Sequence, residues 1–230
     1  MDTRQVAALL ARTELFGKLD ETALLALAGR TTQKAYAKGT VVFVQEELGE
    51  RMFVVAEGAV RLVIHSQDGE VIELARRTPP EVFGELAVLD SGPRSATAEA
   101  IQRTRLVVVT RKDLIDLLRS ERDVVDGLLR SLGGLVRRAN RQTADLAFLT
   151  VADRIAGRLL ELAGWQDEET APERLLPVRV TQTDLAQMVN GARQTVNKVL
   201  GVFESRGLIG IAGQTIEVLQ PKELHRLARR

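Results

Sequence analysis

The hydrophobic and polar positions of this 230-residue chain change period three times. In residues 1–30, Val6, Leu9, Leu10 and Thr13, and then Leu24, Leu25, Leu27 and Ala28, recur at helical spacing and predict helix. From residue 38 to 110 the pattern shortens to apolar or alternating runs at 40–44, 52–56, 59–65, 71–75, 97–101 and 106–110. Lys38-Gly39, Leu48-Gly49, Glu57-Gly58, Asp68-Gly69 and Ser91-Gly92-Pro93 punctuate them. Many short strands with regular turns predict a closed antiparallel roll or sandwich, with Asp68-Gly69 as a hairpin turn.

From residue 112 to about 164 the helical period returns. Val125, Leu128, Leu132, Leu135, Ala139, Gln142, Leu146 and Leu149 follow one another in alternating steps of three and four, and only Gln142 is polar. That spacing predicts a coiled-coil seam between two copies of the chain. Packing of the same helix on its own roll is the plainer alternative. Gly133-Gly134 is expected to interrupt the helix, because each glycine costs about 1 kcal/mol relative to alanine. Residues 166–173 are polar and acidic, hence a loop and a candidate contact for RNA polymerase. Residues 179–189 and 193–206 predict two short helices. A hairpin follows, 208–211 and 215–219, turning at Ala212-Gly213-Gln214.

Composition removes whole classes of chemistry. The chain has no cysteine, so disulfides, thiolate zinc sites, iron–sulfur clusters and cysteine nucleophiles are excluded. Its only histidines, His65 and His225, are far apart in sequence, and no metal site is expected. The formal net charge is +1, so DNA affinity must come from a local basic arrangement rather than a global field. The N-terminal apolar run is too short and too charged for a signal peptide, and no stretch approaches the roughly 20 apolar residues of a membrane span. The expectation is a soluble, cytoplasmic protein with no membrane partner. With no base–nucleophile pair and no triphosphate loop in view, an enzyme is not expected.

Residues 83–97 carry a different chemistry. Gly84 allows close backbone approach, and a helix starting at Glu85 would aim free N–H groups at an anion. Arg94 adds a cationic fork and Ser95 a hydroxyl, which together suit one singly charged phosphodiester. Glu85 would repel that charge but suits a sugar hydroxyl. The alternative is a surface turn with a Glu85–Arg94 ion pair. Further on, Thr181 and Asp184 form a capping-box-like start. Leu185, Met188 and Val189 give an apolar face, and Asn190-Gly191 gives a turn. In the second helix Val196, Val199, Leu200 and Phe203 fall on one side and Arg193, Gln194, Asn197 and Lys198 on the other. A helix presenting only long polar and cationic side chains outward suits a major groove; a solvated surface helix is the alternative.

These segments resemble the cyclic-AMP receptor protein (CRP/FNR) family of regulators. The resemblance is carried by the 83–97 segment, by Lys38-Gly39-Thr40 and Glu57-Gly58-Ala59-Val60, by Ala147-Phe148-Leu149 and Arg154-Ile155, and by the two C-terminal helices. It runs over nearly the whole chain in one order. It implies an α+β fold in three parts: an antiparallel β-roll of the cyclic-nucleotide-binding jelly-roll type (1–117), a central dimerisation helix (118–150) and a winged helix-turn-helix (151–230). It implies cyclic AMP as allosteric ligand and double-stranded DNA and a second copy of the chain as partners. Gly84, Glu85, Leu86, Arg94 and Ser95 would hold phosphate and ribose. Ala139 and Asn140 stand where cyclic-AMP-binding members use threonine and serine against adenine. Arg193 matches a guanine-reading arginine, Lys198 a second basic reader, and Gln194 replaces the usual glutamate. Thr181 and the tail Arg226, Arg229 and Arg230 are candidate phosphate contacts. A same-fold regulator answering another effector, or none, stays open.

Overall fold

The computed structural model describes residues 1–66, 69–165 and 175–228. The chain divides into two compact units, Met1–Arg138 and Ala139–Arg230. The first opens with α1 (Thr3–Leu10) and α2 (Glu21–Arg30). Asp2 and Gln5 start α1 with a reciprocal capping box, and the Asp20 carboxylate accepts from the Ala23 N–H to start α2. Helix over residues 1–30 is therefore two helices, with turns between them at residues 11–20.

Eight strands follow: β1 (Thr32–Tyr36), β2 (Val41–Phe43), β3 (Arg51–Glu57), β4 (Val60–His65), β5 (Val71–Arg77), β6 (Val82–Phe83), β7 (Thr97–Ala100) and β8 (Thr104–Thr110), with α3 (Glu85–Asp90) between β6 and β7. They form two four-stranded antiparallel sheets, β1-β8-β3-β6 and β2-β7-β4-β5, the expected roll. Strands β3 and β8 are buried on both faces, so they read as unbroken apolar runs. Met52, Val54, Val107 and Val109 pack with Leu10, Phe16, Leu114 and Leu128. Phe53, Val55, Leu106 and Val108 fill the roll with Phe43, Val60 and Phe83. The rings of Phe43, Phe53 and Phe83 lie 5.2 to 5.9 Å apart, centroid to centroid.

Helices α4 (Arg111–Ser120), α5 (Arg122–Phe148) and α6 (Val151–Leu162) follow. Contrary to expectation, α5 runs unbroken through Gly133 and Gly134, about 40 Å in all. A methyl group at either glycine would meet only the far end of Arg137 or Arg138, at 3.3 Å. The start of α5 belongs to the first unit's own core: Val124 and Leu128 are buried there, and at Gly127 a Cβ would lie 2.6 Å from the Leu15 carbonyl. The large apolar residues α5 leaves exposed are Leu129 (61%), Val136 (58%), Leu146 (49%) and Phe148 (83%). Val125, Leu132, Leu135 and Leu149 are half-buried.

In the second unit α6 is followed by β9 (Val178–Arg179), α7 (Gln182–Val189), α8 (Arg193–Ser205), β10 (Ile209–Ala212), β11 (Thr215–Val218) and α9 (Pro221–Ala228). The three strands pair in the order β10-β11-β9. Ile155, Leu159, Trp165, Leu185, Val196, Phe203, Ile216 and Leu224 are among its core. Arg179, expected at a helix start, instead pairs with Thr215 in the sheet, and Thr181 caps the helix two residues later. Residues 166–173, the Asp68 turn, Arg229 and Arg230 lie outside the described residues. Among the described residues no helix is long and apolar enough to cross a membrane.

Candidate effector and nucleic-acid sites

Strand β6 hands over to α3 at Gly84, whose φ of +76° is left-handed and favours glycine. Ser91, also left-handed, ends the helix, and the Asp90 carboxylate accepts from the Gly92 N–H at 2.8 Å. The segment then pairs with the 46–48 loop: Arg94 N–H donates to the Glu47 carbonyl, and Glu46 N–H donates to the Arg94 carbonyl. Glu46 sits at φ +69°, a conformation costing a residue with a Cβ about 1–2 kcal/mol, so the loop is held against its own preference.

Arg94 is the centre of this arrangement, and it is only 4% exposed. Its Nη1 donates to the Gly84 carbonyl at 2.8 Å and its Nη2 to the Arg51 carbonyl at 2.7 Å. Its Cζ lies 4.1 Å from the centroid of the Phe43 ring, a cation–π contact. Among the described residues, its buried Nε has no hydrogen-bond partner. The sequence suggests a fork held open to an anion; the structure folds that fork inward. Two glycines permit this. A Cβ on Gly49 would fall 2.4 Å from Arg94 Cζ, and one on Gly84 2.8 Å from Nη1.

Burial lowers the Arg94 pKa, opposed by Glu47 and Glu85. Burial raises the Glu85 pKa, opposed first by its own backbone N–H and then by Arg77, Arg138 and Arg94. Leu86 is half-buried and Ser95 exposed. Ala139 and Asn140 are exposed on α5, in the second unit. Sequence reasoning missed Gly49, Phe43 and the Arg51 carbonyl, because nothing in a linear pattern says which loop a buried arginine will meet. Leu48-Gly49 was visible only as a turn.

The second unit presents its polar side chains outward. Thr181 Oγ1 accepts from Asp184 N–H at 3.0 Å and donates to the Asp184 carboxylate at 2.8 Å, so this hydroxyl is engaged as a helix cap. Asn190 takes the left-handed conformation at φ 48° and ends α7. Small Ala186 is buried on α7. Helix α8 buries Val196, Leu200 and Phe203 and exposes Arg193, Gln194, Asn197 and Lys198. The hairpin β10–β11 supplies the wing. Arg226 pairs with Glu223 at 2.6 Å on α9, a helix the sequence reading did not anticipate.

A nucleotide-type roll followed by a winged helix-turn-helix defines a sensor-bearing DNA-binding regulator. The comparisons agree. Residues 33–121 match the model of the cyclic nucleotide-binding domain, and residues 153–227 match that of the Crp-like helix-turn-helix domain. The chain is 32% identical over 221 residues to the CRP-like cAMP-activated global transcriptional regulator of Mycobacterium tuberculosis, covering 96% of this chain and 99% of that one. A transcriptional regulator of the CRP/FNR family from Thermus thermophilus superposes with a TM-score of 0.70 at 28% identity, covering 86% of this chain and 99% of that one. The c-di-GMP responsive global regulator CLP of Xanthomonas campestris superposes at 0.75, covering 86% and 99%; at 21% identity it speaks to the fold alone. The chain belongs to the CRP/FNR family of transcriptional regulators.

Proposed function

We propose that this chain is a homodimeric regulator whose binding to a palindromic DNA operator, and hence its effect on RNA polymerase, is gated by cyclic AMP. In this reading residues 1–117 take the effector, 118–150 pair two copies, and 151–230 read DNA. One observation carries the effector assignment: Arg94, nearly fully buried beside left-handed Gly84, keeps a buried Nε–H without a partner among the described residues. Each Nη also bears a second N–H beyond the one given to a carbonyl. This donor set fits a single phosphodiester anion. Ser95 would add a hydroxyl donor. Glu85, whose ionised form is disfavoured by burial, would accept from a ribose hydroxyl. Ala139 offers a base no hydrogen bond, so selectivity for adenine would rest on Asn140, which both donates and accepts. The cAMP-activated mycobacterial relative supports this effector.

The exposed residues Leu129, Val136 and Leu146, with Leu132, Ala139 and polar Gln142 between them, recur in steps of three and four along α5 and support pairing with a second copy. Arg193 would then meet a guanine, and Gln194 an adenine where the family's usual glutamate accepts from cytosine. The two α8 helices would enter successive major grooves about 34 Å apart.

Calorimetry with cyclic AMP, cyclic GMP and cyclic di-GMP tests the effector. Cyclic AMP should bind wild type and lose about 10- to 100-fold in affinity in Arg94→Met, a folded variant by its melting curve. Equal affinity in both proteins, or preference for another nucleotide, would defeat the assignment.

A further inference from the structure

Thr150 starts α6 with a reciprocal cap on Asp153. One turn in, Arg154 reaches away from its own helix. Its guanidinium donates three hydrogen bonds, all to backbone carbonyls: Nη1 to Leu149 at 2.8 Å, Nε to Val189 at 2.9 Å and Nη2 to Asn190 at 3.2 Å. Leu149 is the first residue beyond α5, and Val189 and Asn190 are the last residue and the cap of α7. One cation thus closes the carboxyl ends of two helices, where orphan carbonyls and the helix dipole both favour positive charge. The turn also lies close to α6: a Cβ on Gly191 would sit 3.1 Å from Val151 Cγ1. From that same turn, through Ala192, α8 departs.

We infer that Arg154 is a positioning residue that locks the origin of the recognition helix to the end of the central helix. A change in α5 would then reach Arg193 and Lys198 through this side chain. Its role in coupling rests on the effector-gated reading; the lock itself does not. Three different nitrogens meet the three carbonyls, so a lysine, with one nitrogen, cannot reproduce the arrangement.

The test uses the full chain and the variants Arg154→Lys and Arg154→Met. Hydrogen exchange should rise at least about tenfold in residues 149–154 and 190–196 together, with the amides of Leu159 and Leu160 unchanged. The ratio of DNA affinities with and without cyclic AMP should fall at least about fivefold in both variants, while cyclic AMP binding without DNA holds within about twofold. A rise confined to one segment, a uniform rise across the unit, or rescue by Arg154→Lys would overturn the lock. If wild type shows no response to cyclic AMP, the gated reading fails, and the exchange pattern still decides whether the lock exists.

Discussion

The two sites of this chain treat their cations in opposite ways. On α8, Arg193 and Lys198 are exposed, and the apolar residues behind them bury themselves in the second unit's core. In the roll, Arg94 is buried, bonded to two carbonyls and laid over an aromatic ring. In the proposed reading the α8 surface is ready-made for DNA, whereas an anion at Arg94 would meet a guanidinium already committed to two carbonyls and left only with its spare N–H groups. A surface of the first kind meets its partner with side chains free to adjust; one of the second kind is pre-oriented, because the bonds already formed fix where the remaining donors point.

The contrast can be broken most severely from the core side. Phe203→Ala should cost the second unit about 3–5 kcal/mol and abolish DNA binding, while calorimetry still finds the roll binding its effector. Next, Arg193→Ala should weaken specific DNA binding by about 1–3 kcal/mol and relax preference at one base pair, with an unchanged melting temperature. Loss of nonspecific binding to the same extent would remove its base-reading role.

Two smaller effects sharpen the comparison. Gly134→Ala should stabilise α5 by about 1 kcal/mol, since the new methyl meets only a mobile guanidinium, and should raise DNA affinity without effector. Unchanged effector dependence in gel shifts would show that this part of α5 does not move. For Glu85, burial raises the pKa of the carboxyl, so between the ordinary value and the raised one the folded chain holds more of a proton than the unfolded chain does. Stability is therefore lost as pH rises from the ordinary carboxylate value through the raised one. Glu85→Gln should melt slightly higher than wild type at about pH 7, lose that advantage near about pH 4, and bind effector more weakly.

Much of this architecture was legible because each element carries its own period. The apolar run at 52–56 announced a strand, and Val196, Leu200 and Phe203 fixed which face of α8 looks outward. Asn190, expected in a turn, takes the left-handed conformation that its side chain tolerates. Strand β1 escaped notice because four of its five residues are exposed; it lies at a sheet edge, paired only with β8, so no alternation marks it. Helix α9 was hidden in a segment that reads as a basic tail, although Leu224 is fully buried. The Gly133-Gly134 break failed because helix propensity is a weak prior against the continuity of a long helix. The inward pose of Arg94 and the three-carbonyl grip of Arg154 were illegible for one reason. Both depend on backbone carbonyls, which every residue has and no sequence pattern displays.

The missing methyl group at residue 49 has a thermodynamic consequence. Arg94 rests where it does only because glycine leaves that space vacant. Two main-chain oxygens and a benzene ring therefore hold the guanidinium in one pose, and in the proposed reading the effector would meet only the N–H groups that this pose leaves over. On that reading, the firmness of the pose would set how much effector is needed before the switch responds. Sensitivity would then be retunable at position 49, by a side chain that crowds the guanidinium out of its pose, without replacing any residue proposed to touch the nucleotide.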